Sequence, residues 1–429
     1  MKYFISLLAL IFSLSAQSYP KIDIIKDNSN YLLVNEESLP IIDVNILFAF
    51  GSKNDSSKKG ITNFSFELLH QQVMNNKKFI NIFEEVGAQF SSSVSRESTS
   101  ISIRFISSDE NITIISQALG RMLVNRDISV ETFDLTKETI LKSIEARDLD
   151  PASILSYKSN EEYFVNSNLS HPVNGYRKDI LDVSLDDIKT HLDDILTQGN
   201  IKFSFVGDVR ETQTMKFISN TISNIPESAH EQISARSIKS NNDLLSKTLK
   251  INHDSKQTHI SMLIPAITRD DEDFYNLLVA NYIFGGSGFG SMLMSEIREK
   301  NGLAYSVFSY LVPYKNEGIL KIGMQTETKN TDKAIEIINE QINLFREFNF
   351  DEKRIDTAKL GLIRSFELRF DTNKKILSTL SAINDLNMHE DYFKRYIKGI
   401  QSVNKGGIKK AIESKILFDR KLVITVGNN

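Results

Sequence analysis

Apolar residues along the chain are spaced alternately as in strands and helically as in amphipathic helices, and the run of elements they mark is then repeated. Tyr31 to Val34 and Val44 to Phe50 are apolar stretches of strand length, and Gly51 to Lys59 is a polar, turn-rich loop. Ile61, Phe64, Leu68 and Leu69 recur at helical spacing and predict a helix starting near Gly60. Ile80, Phe83 and Val86 predict a second helix that stops at Gly87. Phe90 to Val94 and Thr99 to Ile106 read as a hairpin around Arg96-Glu97. In its second strand Ile101, Ile103 and Phe105 alternate with Ser100, Ser102 and Arg104, the pattern of a sheet with one buried face. Ile114, Ile115, Ala118, Leu119, Met122 and Leu123 line one face of a further helix. Phe133 to Ala146 and Ser184 to Leu196 give two more helices, and Ile201 to Val206 closes the half as a strand stopped by Gly207-Asp208.

From about Asn224 to Lys250 the chain turns to Ser, Asn, Lys and Glu without apolar periodicity, which reads as a linker. The plan then recurs. Ile260 to Ile264 is a strand, Phe274 to Phe284 a helix, and the glycine-rich stretch Gly285 to Gly290 leads into a helix from Ser291 to Lys300. Asn301-Gly302 is a turn, Ala304 to Leu311 and Gly318 to Gln325 are strands, and Ala334, Ile338, Ile342 and Phe345 line a helix. Leu422 to Val426 is a terminal strand. The halves end alike, Lys202-Phe-Ser-Phe-Val-Gly-Asp against Lys421-Leu-Val-Ile-Thr-Val-Gly-Asn, which supports a duplicated unit. The expectation is an α+β chain of two homologous α/β-sandwich domains, each a mixed, mainly antiparallel sheet packed with helices. They span residues 19–223 and 251–429, joined by the linker 224–250.

A length of 429 residues fits two cores better than one. The net charge of −4, with no basic run, argues against nucleic acid as a partner. Lys2, the apolar run Tyr3 to Leu14 and the small residues of Ala16-Gln17-Ser18 have the layout of a secretory signal peptide, residues 1–18. The run is shorter than the roughly 20 residues that span a bilayer. No later stretch is apolar enough to span, so no integral membrane segment is expected after signal removal. The chain contains no cysteine, which excludes disulfides, thiol catalysis and cysteine-held zinc. An exported protein is expected, most simply periplasmic.

Arg298, in the last turn of a helix, and Tyr305, across the Asn301-Gly302 turn, are both hydrogen-bond donors that a tight turn brings to one region. Together they can hold a peptide carbonyl as negative charge grows on it. On their own they fit better a surface arginine paired with Glu296 or Glu299 and a tyrosine at the edge of the core. The glycine cluster fails the spacing of a phosphate loop; its glycines, Gly286 and Gly288 among them, suit close backbone approach to a ligand or a neighbouring strand. None of the seven histidines has another at i, i+3 or i+4. His191 beside Asp193 and Asp194 reads as a solvated helix face, and His171, before Pro172, as a structural position. No Gly-x-Ser-x-Gly elbow occurs.

Gly285 to Val307, Gly-Gly-Ser-Gly-Phe-Gly-Ser-Met-Leu-Met-Ser-Glu-Ile-Arg-Glu-Lys-Asn-Gly-Leu-Ala-Tyr-Ser-Val, resembles a signature of the pitrilysin/insulinase-type zinc peptidases, the family of the inverted H-x-x-E-H motif. Gly60-Ile-Thr-Asn-Phe, His171-Pro172 with Gly175, and Val206-Gly207-Asp208 fall in register with it, so the resemblance covers nearly all of the mature chain. It implies that the chain forms half of a clam-shaped peptidase chamber and that Arg298 and Tyr305 bind the scissile carbonyl. The metal motif departs from the family. Where His-x-x-Glu-His belongs, the chain reads Asn63-Phe64-Ser65-Phe66-Glu67. Asn63 is a weak neutral donor, Phe66 cannot take a proton from water, and Glu67 is one ligand at most. The family's further glutamate ligand falls near Lys142-Ser143, with Glu145 close but out of register.

The resemblance therefore implies a non-catalytic subunit of an exported heterodimeric zinc endopeptidase, with no cofactor of its own. A homologous H-x-x-E-H partner would carry the zinc, and peptide or unfolded polypeptide would be the substrate. The segment Gly87 to Val94, with Ser91, Ser92 and Ser93, resembles the family's substrate-pairing strand and is equally readable as a structural hairpin. The competing expectation is a peptide-binding or scaffold protein of the same fold that works without a protease.

Overall fold

The computed structural model describes residues 23–26, 30–74, 77–227, 246–314, 318–389 and 391–428. The segment read as a signal peptide, and residues 228–245 of the linker, lie outside these. The alternation in Thr99–Ile106 is realised as a strand pairing Ile41–Phe48 on one side and Gln89–Val94 on the other, both antiparallel. Ile41–Phe48 pairs in turn with Ile201–Gly207, antiparallel, and Ile201–Gly207 with Asn30–Asn35, parallel. Asp23–Lys26 adds a sixth strand beyond Asn30–Asn35.

The second sheet repeats five of these strands in the same order and sense. Val307–Pro313, Gly318–Glu327, Gln257–Ala266 and Leu422–Gly427 pair antiparallel, and Lys247–Asn252 closes the far edge in parallel with Leu422–Gly427. The two mixed, mainly antiparallel sheets thus bear out the duplicated α/β plan. Lys247–Asn252 begins inside the stretch assigned to the linker. Only Leu249 and Ile251 of this edge strand turn inward, too short an alternation to stand out from its polar surroundings.

Each sheet buries one face under its own helices. In the first half Ile101, Ile103 and Phe105 meet Ile115, Leu119 and Phe217; in the second Met262, Ile264 and Ile322 meet Phe284, Ile338 and Phe345. The opposite faces are covered in part by exchange. Helix Pro151–Tyr163 of the first half leads into Tyr163, Phe164 and Leu169, which pack on Leu263, Ile319, Leu422 and Ile424 of the second sheet. Helix Asn373–Asp385 of the second half places Ile376, Leu377, Leu380 and Ile383 in one cluster with Leu32, Val34 and Val206 of the first sheet. Polar contacts fix this crossover: Asn384 Nδ2 donates to the Phe203 carbonyl at 2.8 Å, and Lys202 Nζ to the Asn384 carbonyl at 2.6 Å.

Near the glycine-rich stretch the elements differ from expectation. The helix predicted to reach Phe284 is regular over Phe274–Asn281 and then widens into a π-type turn, Tyr282–Gly286. The helix predicted from Ser291 to Lys300 is capped by Ser291, whose hydroxyl accepts from Met294 N, and it too widens, over Ser295–Lys300. The strand expected from Ala304 starts at Val307, because residues 302–305 are held elsewhere. Gly302 at φ 62° and Leu303 bond back to the Arg298 and Ile297 carbonyls, while Thr326 Oγ1 binds the Leu303 carbonyl. Tyr305 therefore stands in a loop ahead of the strand, not on it.

Candidate functional site

The helix on which the resemblance places the metal motif is Ile61–Gln71. Its N-terminus is seated on a buried carboxylate: Asp55 accepts from Gly60 N at 2.6 Å and Thr62 N at 3.0 Å, and His171 Nε2 lies 3.0 Å from its Oδ2. Thr62 Oγ1 meets His191 Nε2 at 2.9 Å. His191 is buried, against the expectation of a solvated face, because it shares the inward side of its helix with Ile188, Leu192 and Ile195. That burial lowers its pKa, only partly countered by Asp55 and Asp194. Gly60, at φ 95°, lies against Gly175, where any side chain would strike the Lys59 carbonyl.

Along this helix the degenerate motif faces three ways. Asn63 is half-buried, and Glu67 is exposed and 3.8 Å from His70. Phe66 is 2 % exposed, with its ring 5.3 Å from that of Phe48 and 5.8 Å from that of Phe50. Glu145 lies exposed on helix Val130–Leu149. Among the described residues no group of three or more His, Asp or Glu side chains is placed to share a metal ion. An amide, a phenyl ring in the core and one solvated carboxylate do not fit zinc.

Arg298 and Tyr305 do come together. Arg298 Nη1 donates to the Tyr305 carbonyl at 3.2 Å, and the guanidinium carbon lies 4.6 Å from the centre of the Phe289 ring. Glu296, the acid considered as its partner, pairs with Lys300 at 2.8 Å. Tyr305 is 83 % exposed. Both residues line a cavity of about 580 Å³ that also takes in Gly286, Gly288, Tyr282 and Phe308. On its polar wall Ser309 Oγ donates to Asn281 Oδ1 at 2.7 Å, and Asn281 Nδ2 to the Ser309 carbonyl at 3.1 Å, which ties the glycine turn to the strand.

The serines lie elsewhere. Ser91 and Ser93 line a groove of about 640 Å³ on the open face of the first sheet, walled by Ser378, Ser381 and Asp385 of the exchanged helix. Burial raises the Asp385 pKa, Lys202 and Lys53 opposing. Ser92 alternates to the opposite face with Phe90, whose ring stacks on Phe83, so it does not share the groove. The helix wall was missed in the sequence. A usable signal was the unbroken apolar run Tyr31 to Val34, which marks a strand covered on both faces.

Residues 31–175 match the family described as insulinase (peptidase family M16), and residues 182–362 the peptidase M16 inactive domain. The chain belongs to the M16 family. A non-peptidase homolog, YmxG, from Helicobacter pylori is 24% identical over 339 residues, covering 77% of this chain and 75% of that protein. An uncharacterized zinc protease YmxG from Bacillus subtilis is 21% identical over 359 residues, or 80% and 83%. The crystal structure of a peptidase M16 inactive domain from Pseudomonas fluorescens superposes with a TM-score of 0.86 at 22% identity over 96% of this chain and 98% of that one. The names of such relatives divide between peptidase and non-peptidase, and the residues at the ligand helix place this chain on one side. With Asn63, Phe66 and Glu67 there, it is a non-catalytic M16 member.

Proposed function

We propose that this chain is the non-catalytic subunit of an exported, periplasmic two-chain zinc endopeptidase, and that Arg298 and Tyr305 bind the substrate carbonyl in trans. The observation that carries this reading is a charged donor and an exposed phenol converging on one open cavity, on a chain whose metal motif is gone. A guanidinium has five N–H donors; one is spent on the Tyr305 carbonyl, which sets its direction, and the Phe289 face supports it. The remaining donors and the Tyr305 hydroxyl are free to stabilise charge developing on a carbonyl oxygen, work that needs geometry and no metal. A homologous partner with H-x-x-E-H would supply zinc and the general base. Peptide or unfolded polypeptide would lie in the chamber, with Ser91 and Ser93 along its wall.

Tyr305→Phe in the assembled enzyme is expected to lower kcat by about 100- to 1,000-fold, with zinc content and subunit association unchanged. Unaltered turnover would remove the assigned role. The serine-lined groove supports a second reading, a peptide carrier that needs no partner, but a carrier leaves the exposed Arg298/Tyr305 pair without a task.

A further inference from the structure

Two cations from opposite halves face the same junction. Arg96 stands in the hairpin turn between Gln89–Val94 and Thr99–Ile106, and its Nε donates to the Leu169 carbonyl at 3.1 Å. Leu169 packs with Leu263 and Ile319 of the second sheet. Lys321 lies in that sheet, across from Leu263 on one side and from Tyr310 on the other. Leu169 thereby draws Arg96 toward the strands that carry Lys321. Both residues are half-buried.

Among the described residues neither cation forms an ion pair, and Lys321 makes no side-chain hydrogen bond. Glu97, next to Arg96, faces Lys53 at 3.9 Å. Burial lowers the pKa of both side chains; Arg96 lowers that of Lys321 further, while the Tyr314 phenol opposes the shift of Arg96. Like charges partly withdrawn from water are costly unless a counter-charge joins them.

The duplication shows that the fold does not require a lysine here. Counted back from Gly207 and Gly427, which end their strands, Lys202 and Leu422 are equivalent. Lys202 pairs with Leu47, and Leu47 with Ser100; Leu422 pairs with Leu263, and Leu263 with Lys321. Ser100 therefore holds the place of Lys321 in the first half, and a small neutral residue satisfies the architecture.

We infer that Arg96 and Lys321 form an oxyanion-binding site at the junction of the halves, taking a carboxylate or phosphate group. A guanidinium supplies a planar fork of donors and an ammonium a compact charge, a combination suited to an anion with several oxygens. The Leu169 carbonyl fixes the fork at Nε and leaves the two Nη groups for the ligand. Each half contributes one cation, so a bound anion joins them and stabilises the folded chain by mass action. The site needs neither zinc nor a partner chain.

Titration calorimetry on the full chain tests this at constant ionic strength set with chloride. The probes are inorganic phosphate, an acetylated alanine peptide with a free C-terminal carboxylate, and the same peptide as its amide. Saturable binding of phosphate, or of the free-carboxylate peptide and not its amide, is expected, and the pattern tells a free anion from a peptide end. Affinity is expected to fall about tenfold in Lys321→Met and to be kept in Lys321→Arg. With no anion but chloride present, Lys321→Met is expected to have a higher urea midpoint than the unmodified chain, because one of two like charges is gone. No saturable binding, equal binding of peptide and amide, unchanged affinity in Lys321→Met, or a midpoint that fails to rise would each overturn the inference.

Discussion

At the position where the resemblance expects a general base, Phe66 packs against Phe48 and Phe50 and is part of the core. This loss was legible in the sequence because it depends on residue type alone: no conformation gives a phenyl ring a lone pair. His191 was not legible in that way. Its neighbours Asp193 and Asp194 suggest solvent, and only the helical phase with Ile188, Leu192 and Ile195 shows that it turns inward. Burial favours its neutral form, so the unfolded chain takes up a proton near its ordinary pKa of 6.5 while the folded chain resists. The resulting stability is present above that value and is lost as the pH falls below it. His191→Gln is expected to shrink the drop in urea midpoint between about pH 7.5 and about pH 5.5. An undiminished drop would assign the acid sensitivity to other groups, such as His70 and His259, whose pKa values burial also lowers.

Among the elements, those with strict alternation or a clear helical face were read close to their observed bounds. Thr99–Ile106 was placed to the residue, since Ile101, Ile103 and Phe105 on one face alternate with Ser100, Ser102 and Arg104 on the other. The exchange of helices was not seen. Asn373–Asp385 has an apolar face that would suit either sheet, and nothing local says which one it covers. The loop carrying Tyr305 was mistaken for strand because Ala304 to Leu311 continues a strand-like pattern, while the bonds that lift it off the sheet come from Arg298, Ile297 and Thr326. If the crossover joins the halves into one cooperative unit, Leu380→Ala, at a fully buried position, should cost about 2–5 kcal/mol and move a single urea transition. Two transitions, with only one displaced, would show that the halves unfold separately.

For the molecule as a whole, the duplicated sheets divide the work unequally. The first half has the fold of the M16 peptidase domain, with Gly60 against Gly175 and Asp55 seating the helix Ile61–Gln71, and no metal-ligand set on that helix. The second half brings Arg298 and Tyr305 to one open cavity. The resemblance to M16 peptidases was visible in Gly285 to Val307, a segment whose sequence is constrained by a tight turn and a glycine-packed loop. The proposed partnership rests on what was retained and what was lost, and it is tested by purifying this chain, an exported H-x-x-E-H relative, and their mixture, then measuring zinc content and cleavage of a quenched peptide in each. The account predicts that this chain alone holds no stoichiometric zinc and cleaves nothing, and that full activity requires the mixture. Stoichiometric zinc with cleavage by the isolated chain, or full activity of the relative without it, would contradict the account.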